Sequence, residues 1–328
     1  MAIRNNSSIP NRLVIRSDLF PGESVVGYLR RLSIANGFDS LQWMFKNKLS
    51  LKEETYYEDI LYHVHCITEC DYETIKGCGY IPRDKNDRIT SFYGFEIRKK
   101  HFKLDSQKIC TMCFYERPIF QSVWDIRAWI ACPIHGTHII DRCPECGRSL
   151  SWIQSTYMCE CGAFEYDDCF KGNSHEKLIF CSKHISFLLW HRKEDENTKI
   201  ADKVRALSLE NFLDLIVDLY MVPLIQVRSR KIIYGSIYKN YENCLIHSME
   251  IIMNWPDGFY EHVERVVEAL LHFRNREEEK YLTFRLFLCV SFLEKMKAIA
   301  KNIEGDEKIW CKKWGDVIVK CHFPNFVL

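Results

Sequence analysis

The sequence predicts a mainly α-helical protein with small zinc-ribbon β elements. Apolar residues recur at helical spacing near the N terminus and across much of the last third, and cysteine pairs lie between residues 110 and 161. The chain has 328 residues, 47% of them hydrophobic, which is enough for several compact units with cores. We expect an N-terminal helix-turn-helix-like unit, a central double zinc ribbon and a C-terminal helical domain.

Charge and cysteine content restrict the class of protein. Lysine plus arginine (45) nearly equals aspartate plus glutamate (44), so whole-molecule charge gives no attraction to nucleic acid or to an anionic membrane. The start lacks the apolar run of a secretion signal, and no stretch approaches the roughly 18 apolar residues of a membrane helix. We expect a cytoplasmic protein without membrane association, whose 16 cysteines stay reduced and bind metal where they cluster.

Composition divides the chain into four parts. A polar start predicts a flexible arm, a helical region follows, the cysteine pairs mark a metal module, and helical periodicity returns after it. The predicted boundaries are residues 1–18 for the arm, 19–105 for the N-terminal helical domain, 106–171 for the double zinc-binding module and 172–328 for the C-terminal helical domain.

The N-terminal unit begins with a predicted helix over residues 23–36, which Gly37 ends. Asp39 or Ser40 can cap a second short helix, and the glycine turn between them gives a helix-turn-helix-like arrangement. Its basic residues have two interpretations: contact with DNA or RNA, or the solvated side of an ordinary helical hairpin, which is favoured. These residues are Arg30, Arg31, Lys46 and Lys48.

The next region predicts a helix over residues 57–65 and a turn-rich stretch over 77–88. The spacing of Cys66, Cys70 and Cys78 matches no closed metal site, so we interpret them as buried or surface thiols.

In the last third of the chain, apolar periodicity predicts helices over residues 204–220, 242–254, 258–273 and 279–302. The apolar stripe over residues 281–292 is interpreted as core.

The first candidate metal site pairs Cys110-x2-Cys113 with Cys132-x2-His135, which follows after eighteen residues. Two such pairs supply four soft or borderline ligands, and these close a tetrahedral zinc site without an open position. A closed site predicts a structural zinc ion and no activated water.

The second candidate site pairs Cys143-Pro-Glu-Cys146-Gly with Cys159-Glu-Cys161-Gly. The glycine lets the backbone turn so that amides approach the thiolates. The spacing of Cys159 and Cys161 is tight, so one of three downstream residues is an alternative to Cys161. They are Cys169, Cys181 and His184. Iron–sulfur clusters compete, but the histidine ligand and the separate pairs favour two structural zinc ions.

Aromatic and basic residues inside the module have two interpretations. Trp124 and Trp129 can stack on bases, or they can cover the metal sites as core, which is favoured for so small a ribbon. Arginines that could meet phosphates are Arg117, Arg127, Arg142 and Arg148. No phosphate loop, nucleophile elbow, zinc-protease helix or deaminase pattern occurs, so we predict no catalytic residue, no organic cofactor and no enzyme.

Three segments together resemble the TniQ family of transposition proteins. They are Pro21-Gly22-Glu23-Ser24 with Tyr28-Leu-Arg-Arg-Leu32, then Cys110-Thr-Met-Cys113, and then residues 124–129 leading into Cys132-Pro-Ile-His135-Gly136. The resemblance covers roughly residues 19–165, and the rest matches more loosely, most recognisably at Asn254-Trp255-Pro256 followed by Phe259.

The resemblance implies a non-catalytic target selector that joins a target-recognition device to an AAA+ ATPase, which recruits the transposase. One branch, TnsD-like, reads a DNA attachment site itself. Another branch consists of shorter dimers that dock on the RNA-guided Cascade complex of CRISPR-associated transposons. The family's zinc ligands carry over to Cys110, Cys113, Cys132, His135, Cys143, Cys146, Cys159 and Cys161.

The neutral charge and the end of the chain soon after the helical domain favour the Cascade adaptor. The expected partners are a crRNA-loaded Cascade complex, a TnsC-like AAA+ ATPase, nearby target DNA and a second copy of the chain. The alternatives are a direct sequence-specific DNA-binding selector, a zinc-ribbon transcription regulator and, least favoured, a zinc hydrolase or nuclease.

Overall fold

A computed structural model describes most of the chain: residues 12–38, 41, 58–78, 81–82, 89–103, 106–150, 159, 161, 173–190, 200–226, 231–236, 240–272 and 282–304. Two compact units result, Met1–Arg192 and Lys193–Leu328. Helices dominate the described residues and strands are few and short, so the predicted mainly α fold class is confirmed. The second helix of the predicted helix-turn-helix-like unit and most of the predicted arm lie outside the described residues.

The first helix, α1 (Val25–Ala35), confirms the N-terminal helix prediction. Ser24 caps it, since the Ser24 Oγ accepts a hydrogen bond from the Gly27 N–H at 3.0 Å. Leu29 and Leu32 are buried on its inner face. The helix ends at its C-cap, Asn36, and the following Gly37 has a positive φ of 72°.

The interpretation of the α1 arginines as the solvated side is wrong for this helix. Arg30 is only 2% exposed, and its Nη1 donates to the Gln107 Oε1 at 2.5 Å. Arg31 is half-buried and forms an ion pair with the buried Glu23. Both arginines are held by partners within the first unit, which helical periodicity alone could not reveal. Lys46 and Lys48 lie outside the described residues.

Part of the predicted arm packs on this unit. Leu13 is buried, and its N–H donates to the Ile67 carbonyl at 2.9 Å. The Asn36 side chain forms two hydrogen bonds of 2.8 Å with the Ile15 backbone: its Oδ1 accepts from the Ile15 N–H, and its Nδ2 donates to the Ile15 carbonyl. These bonds hold the segment around Ile15 against the end of α1.

Two further helices follow, α2 (Glu58–Thr68) and α3 (Tyr72–Cys78). The first confirms the helix predicted over residues 57–65 and extends it to Thr68. A three-stranded antiparallel sheet was not predicted; its strands are β1 (Ile81–Pro82), β2 (Ile89–Phe92) and β3 (Phe95–Arg98), in that order. Between β2 and β3, Tyr93 and Gly94 both have positive φ, as a tight two-residue hairpin turn requires.

The rest of the first unit holds α4 (Thr111–Glu116), short 3-10 turns at Lys99–His101 and Ser122–Asp125, and α5 (Glu176–Trp190). The α5 segment falls within residues 172–328, which were predicted to form the C-terminal helical domain. It lies in the first unit because its inner face meets the metal module: the Cys181 Sγ is 4.0 Å from the Ala128 carbonyl, and the ring centroids of Trp190 and Trp129 are 6.5 Å apart.

The second unit consists of helices around one hairpin. Its elements are α6 (Asp202–Arg205), α7 (Leu209–Tyr220), β4 (Met221–Gln226), β5 (Lys231–Ser236), α8 (Tyr241–Met253), α9 (Asp257–His272) and α10 (Leu282–Glu304). The last three helices confirm their predictions within a few residues. The single helix predicted over residues 204–220 is wrong at its start, because Ser208 caps a new helix by accepting from the Asn211 N–H. The hairpin was not predicted.

A pair of buried histidines joins α8 to α9. The His247 Nε2 lies 3.2 Å from the His262 Nδ1, and His262 is 2% exposed. Burial lowers the pKa of His262 to about 3, with further contributions from His247 and Arg265. Burial also lowers the pKa of His247, and Arg265 adds to this effect while Glu250 opposes it. Both imidazoles are therefore neutral in the folded unit at neutral pH.

We expect the second unit to lose stability as the pH falls below about 6.5, because the unfolded histidines then bind protons that the folded ones exclude. For His262 alone, the free energy of unfolding should drop by about 2 kcal/mol between pH 7 and pH 5. His262→Asn keeps a hydrogen-bonding group without the titration, so urea unfolding should show a shallower pH dependence. Equal pH dependence in the variant and the wild type would contradict this account.

Within the described part of the chain, no helix is both long and apolar enough to cross a lipid bilayer.

Candidate metal centres

The structure brings four predicted ligands together in the first metal centre. The donor atoms of Cys110, Cys113, Cys132 and His135 all lie within 4.8 Å of one another. Cys110 is the N-cap of α4 and Cys113 lies in its first turn, while Cys132 and His135 flank a tight turn. Apart from His135, which is half-buried, these residues are buried.

The distances in this centre fit a tetrahedral metal ion. The sulfur atoms of Cys113 and Cys132 are 3.5 Å apart, and the His135 Nδ1 lies 3.3 to 3.6 Å from the three sulfurs. Zinc–sulfur bonds of about 2.3 Å give a sulfur–sulfur edge of about 3.8 Å in a tetrahedron. A disulfide needs about 2.05 Å, and these cysteines are free. The donor set and its spacing therefore fit zinc.

The backbone around this centre also turns toward the sulfurs. The Cys113 N–H donates to the Cys110 Sγ at 3.5 Å, and the His135 N–H donates to the Cys132 Sγ at 3.4 Å. Gly136 has a positive φ of 67°, which lets its N–H reach the Cys132 carbonyl at 2.9 Å. Such amide donors stabilise anionic sulfur, as the sequence pattern predicted for knuckle glycines.

The thiols of this centre are prepared to lose protons to a metal. Hydrogen bonds from the Cys113 and Cys132 thiols hold the pKa of Cys110 far below its usual range. The same bonds to Cys110 raise the pKa of Cys113 and that of Cys132, since each keeps its proton there. Binding of a cation by the three sulfurs would release the protons that they still carry.

The second metal centre unites Cys143, Cys146, Cys159 and Cys161, whose sulfurs lie within 4.8 Å of one another. The Cys143–Cys161 distance is 3.6 Å and the Cys146–Cys159 distance is 3.5 Å, which again fits a tetrahedral ion. The Arg148 backbone N–H and guanidinium donate to the Cys146 sulfur and lower its pKa to about 6.

Two of the three alternatives to Cys161 are described in the structure, and both lie outside the second centre. Cys181 and His184 lie in α5 and belong to neither group of candidate metal ligands, and burial raises the pKa of Cys181 to about 12. Cys169 lies outside the described residues. Cys66, Cys70 and Cys78 also belong to neither group.

Small antiparallel bridges support both centres, as expected for zinc-ribbon β elements. They pair Ile109 with Ile140, Ala131 with His138, and Arg142 with Ser149.

The two centres differ in their access to solvent. Three of the four ligands of the first centre are buried, whereas Cys146 and Cys161 of the second are exposed. A chelator should therefore remove the metal of the second centre first. We expect zinc to transfer to a chromogenic chelator in two phases, with one zinc ion released in each. The fast phase should come from the second centre, so Cys146→Ser should abolish it. Loss of the slow phase in that variant would reverse the assignment.

The interpretation of the module's tryptophans as core is confirmed. Trp124 and Trp129 are 1% and 2% exposed, so neither offers a face to a base. The arginines that were considered for phosphate contact each also make a contact within the chain. Arg117 lies over the Phe20 ring, Arg127 donates to the Lys100 and Phe102 carbonyls, Arg142 donates to the Gly147 carbonyl and Arg148 donates to the Cys146 sulfur.

The Pro21-Gly22-Glu23-Ser24 motif forms a compact start to α1. Gly22 has a positive φ of 82°, which turns the chain into the helix. Glu23 is fully buried, and its two carboxylate oxygens accept from the Arg31 Nε and Nη2 at 2.9 and 2.8 Å. Both residues lie within the segments that resemble the family, but their pairing was not predicted.

The same motif joins α1 to the segment before Trp124. The Ser24 N–H donates to the Phe120 carbonyl at 2.7 Å, and the Ser122 N–H donates to the Gly22 carbonyl at 2.9 Å. Gly27 lies so close that a Cβ there would be 2.6 Å from the Phe120 Cβ. The N-terminal motif and the first metal centre therefore belong to one packed unit.

The first unit combines helices with two groups of paired cysteine and cysteine–histidine knuckles. The family model described as TniQ matches residues 14–139, which include the N-terminal motif and the whole first centre. These residues are therefore similar to a TniQ domain, which confirms the resemblance over this part of the chain and supports a role in target selection for transposition. The second centre lies beyond the matched residues. Among curated proteins, no relative matches the chain.

Proposed function

We propose that this protein is a non-catalytic, cytoplasmic adaptor that links a crRNA-loaded Cascade complex to a TnsC-like AAA+ ATPase near target DNA. The observation that carries the proposal is the TniQ domain over residues 14–139, in which motif and metal knuckle pack as one body. In an RNA-guided system base pairing supplies the sequence information, so an adaptor need not read bases. A homodimer would strengthen docking through avidity.

Both metal centres are proposed to hold structural zinc. Four donors close each tetrahedron, so a bound ion has no position for an activated water. The protein's own residues support the folded module: knuckle amides donate to the thiolates, and Trp124 and Trp129 of the module are buried. The role of zinc is then to supply folding energy.

The test is a tagged pull-down from cells that co-express the neighbouring operon, with mass spectrometry of bound proteins and sequencing of bound nucleic acid. Recovery of Cascade subunits with crRNA, and of the ATPase, would support the adaptor. Recovery of one duplex DNA site without RNA would contradict it and favour a direct DNA-binding selector.

One surface favours the direct DNA-binding alternative, including a zinc-ribbon regulator. Arg98, Lys99 and Lys100 are consecutive and exposed at the end of β3, beside the exposed Arg127. Two hydrogen bonds tie Arg127 to this turn: its N–H donates to the His101 carbonyl at 2.7 Å, and its guanidinium donates to the Lys100 carbonyl at 3.3 Å. Such a group of neighbouring cations suits a phosphate backbone.

A salt titration separates the two functions. If the protein binds duplex DNA by itself through this turn, a Lys99→Ala, Lys100→Ala variant should bind more weakly and reduce the salt slope by about two. Lys203→Ala, an exposed lysine of the second unit, is the control. No binding of purified wild type to duplex DNA at low salt would reject the direct selector.

A further inference from the structure

We propose that Glu116 is a positioning residue of the first metal centre, where its carboxylate holds His135 so that the Nδ1 faces the ion. The His135 Nε2 lies 3.0 Å from the Glu116 Oε1. The opposite ring nitrogen, Nδ1, lies 3.3 to 3.6 Å from the sulfurs of Cys110, Cys113 and Cys132. The inference rests on the proposed zinc site.

One short helix carries two of the ligands and the carboxylate. Cys110 is the N-cap of α4, Cys113 lies three residues later, and Glu116 lies three residues after that, so Cys113 neighbours both of the others at helical spacing. The helix ends there, where the Arg117 N–H donates to the Cys113 carbonyl at 2.9 Å. Binding of a metal to Cys110 and Cys113 would therefore also fix the place of Glu116.

The chemistry of the imidazole explains why a carboxylate belongs here. A neutral histidine that binds metal through Nδ1 carries its proton on Nε2, and that N–H needs an acceptor. A carboxylate accepts it with a charge-assisted hydrogen bond, sets the tautomer and makes the ring a stronger ligand. The His135 side chain is only 13% exposed, whereas Glu116 is 60% exposed, so the carboxylate shields the ring on its solvent side.

The second centre uses a different partner, which provides an internal comparison. Its four ligands are cysteines, and the Arg148 Nε donates to the Cys146 sulfur at 3.4 Å. A cation there offsets the negative charge of four thiolates. Replacement of Glu116 should therefore affect the first centre selectively.

The competing explanation is an exposed ion pair that happens to include a ligand. Such a pair would affect overall stability slightly and would leave the metal exchange rate unchanged. The experiment compares Glu116→Ala and Glu116→Gln in the full chain with the control Glu145→Gln. Glu145 is an exposed glutamate between two ligands of the second centre, Cys143 and Cys146. The readouts are zinc per chain, the rate of zinc transfer to excess chelator, and the absorption spectrum of the cobalt-substituted protein.

In Glu116→Ala, the rate at which zinc leaves the first centre should rise about tenfold. This value is at the low end of the range for residues that hydrogen-bond to metal ligands, because Glu116 is exposed. The second-centre rate should stay the same, and the cobalt spectrum should change its ligand-field bands. Glu116→Gln should fall between alanine and wild type, because the amide oxygen still accepts, and Glu145→Gln should match wild type.

A first-centre rate within about twofold of wild type in Glu116→Ala would overturn the inference, because outer partners normally change affinity tenfold or more. Equal acceleration of both centres would also overturn it, since that marks a general loss of stability. A wild-type protein without zinc in the first centre would overturn the zinc proposal itself. That outcome appears in the initial metal analysis, before any variant is compared.

Discussion

Cys113→Ser is expected to leave little soluble, folded protein. Cys113 is buried, and its sulfur lies 3.5 Å from that of Cys132 and 3.3 Å from the His135 Nδ1. Structural zinc contributes about 10 to 16 kcal/mol in small zinc-binding peptides, which equals or exceeds the whole stability of most domains. A serine oxygen replaces the thiolate poorly. The measurements are the soluble fraction after expression and the zinc content per chain.

The control for this variant is Cys66→Ser. Cys66 is an exposed free cysteine of α2 and belongs to neither metal group, so its replacement should leave solubility and two zinc ions per chain unchanged. A soluble Cys113→Ser protein that retains two zinc ions would refute a structural role for Cys113.

Arg31→Met should lower the free energy of unfolding by about 3 to 5 kcal/mol, the usual cost of leaving one partner of a buried ion pair alone. The Glu23 side chain has no exposed surface, and Arg31 supplies two of its hydrogen bonds. Without Arg31, the carboxylate stays buried, and the Phe20 N–H is its remaining hydrogen-bond donor among the residues that the structure describes, at 3.1 Å. Urea unfolding of the zinc-loaded protein measures the change.

Two comparisons isolate the buried charge in this result. Arg12→Met removes an exposed arginine that pairs with Glu69, and should cost less than about 1 kcal/mol. The double variant Glu23→Gln, Arg31→Met removes both charges and should regain part of the loss. If Arg31→Met cost no more than Arg12→Met, the buried pair would have no special role.

Sequence reasoning succeeded where the signal is local. The helical periods of α1, α8 and α9 repeat every three to four residues, so their bounds were predicted within a few positions. Ligand spacing is equally local, because two residues between paired donors fit one tight turn. The structure then brought the same eight residues into two groups.

The features that were missed depend on tertiary contacts. The apolar strands of β4 and β5 are too short to be told from helix by periodicity, and pairing with each other decides their structure. Helical periodicity places Arg30 on a solvated face, but in the fold it donates a hydrogen bond to Gln107, which is 77 positions away in the chain. Glu116 is an ordinary surface glutamate in the sequence, and only the fold of the knuckle brings it to His135.

The join between Gly22 and Ser122 has a consequence for biosynthesis. The two residues are separated by 100 positions in the chain. At about 5 to 20 residues per second, a ribosome needs roughly 5 to 20 seconds to make that interval. During this time the face of α1 around Gly27 has no Phe120 to pack against, so the nascent chain exposes apolar surface to solvent. We therefore expect chaperones to engage this protein early in translation, and release to follow emergence of the segment that carries Phe120.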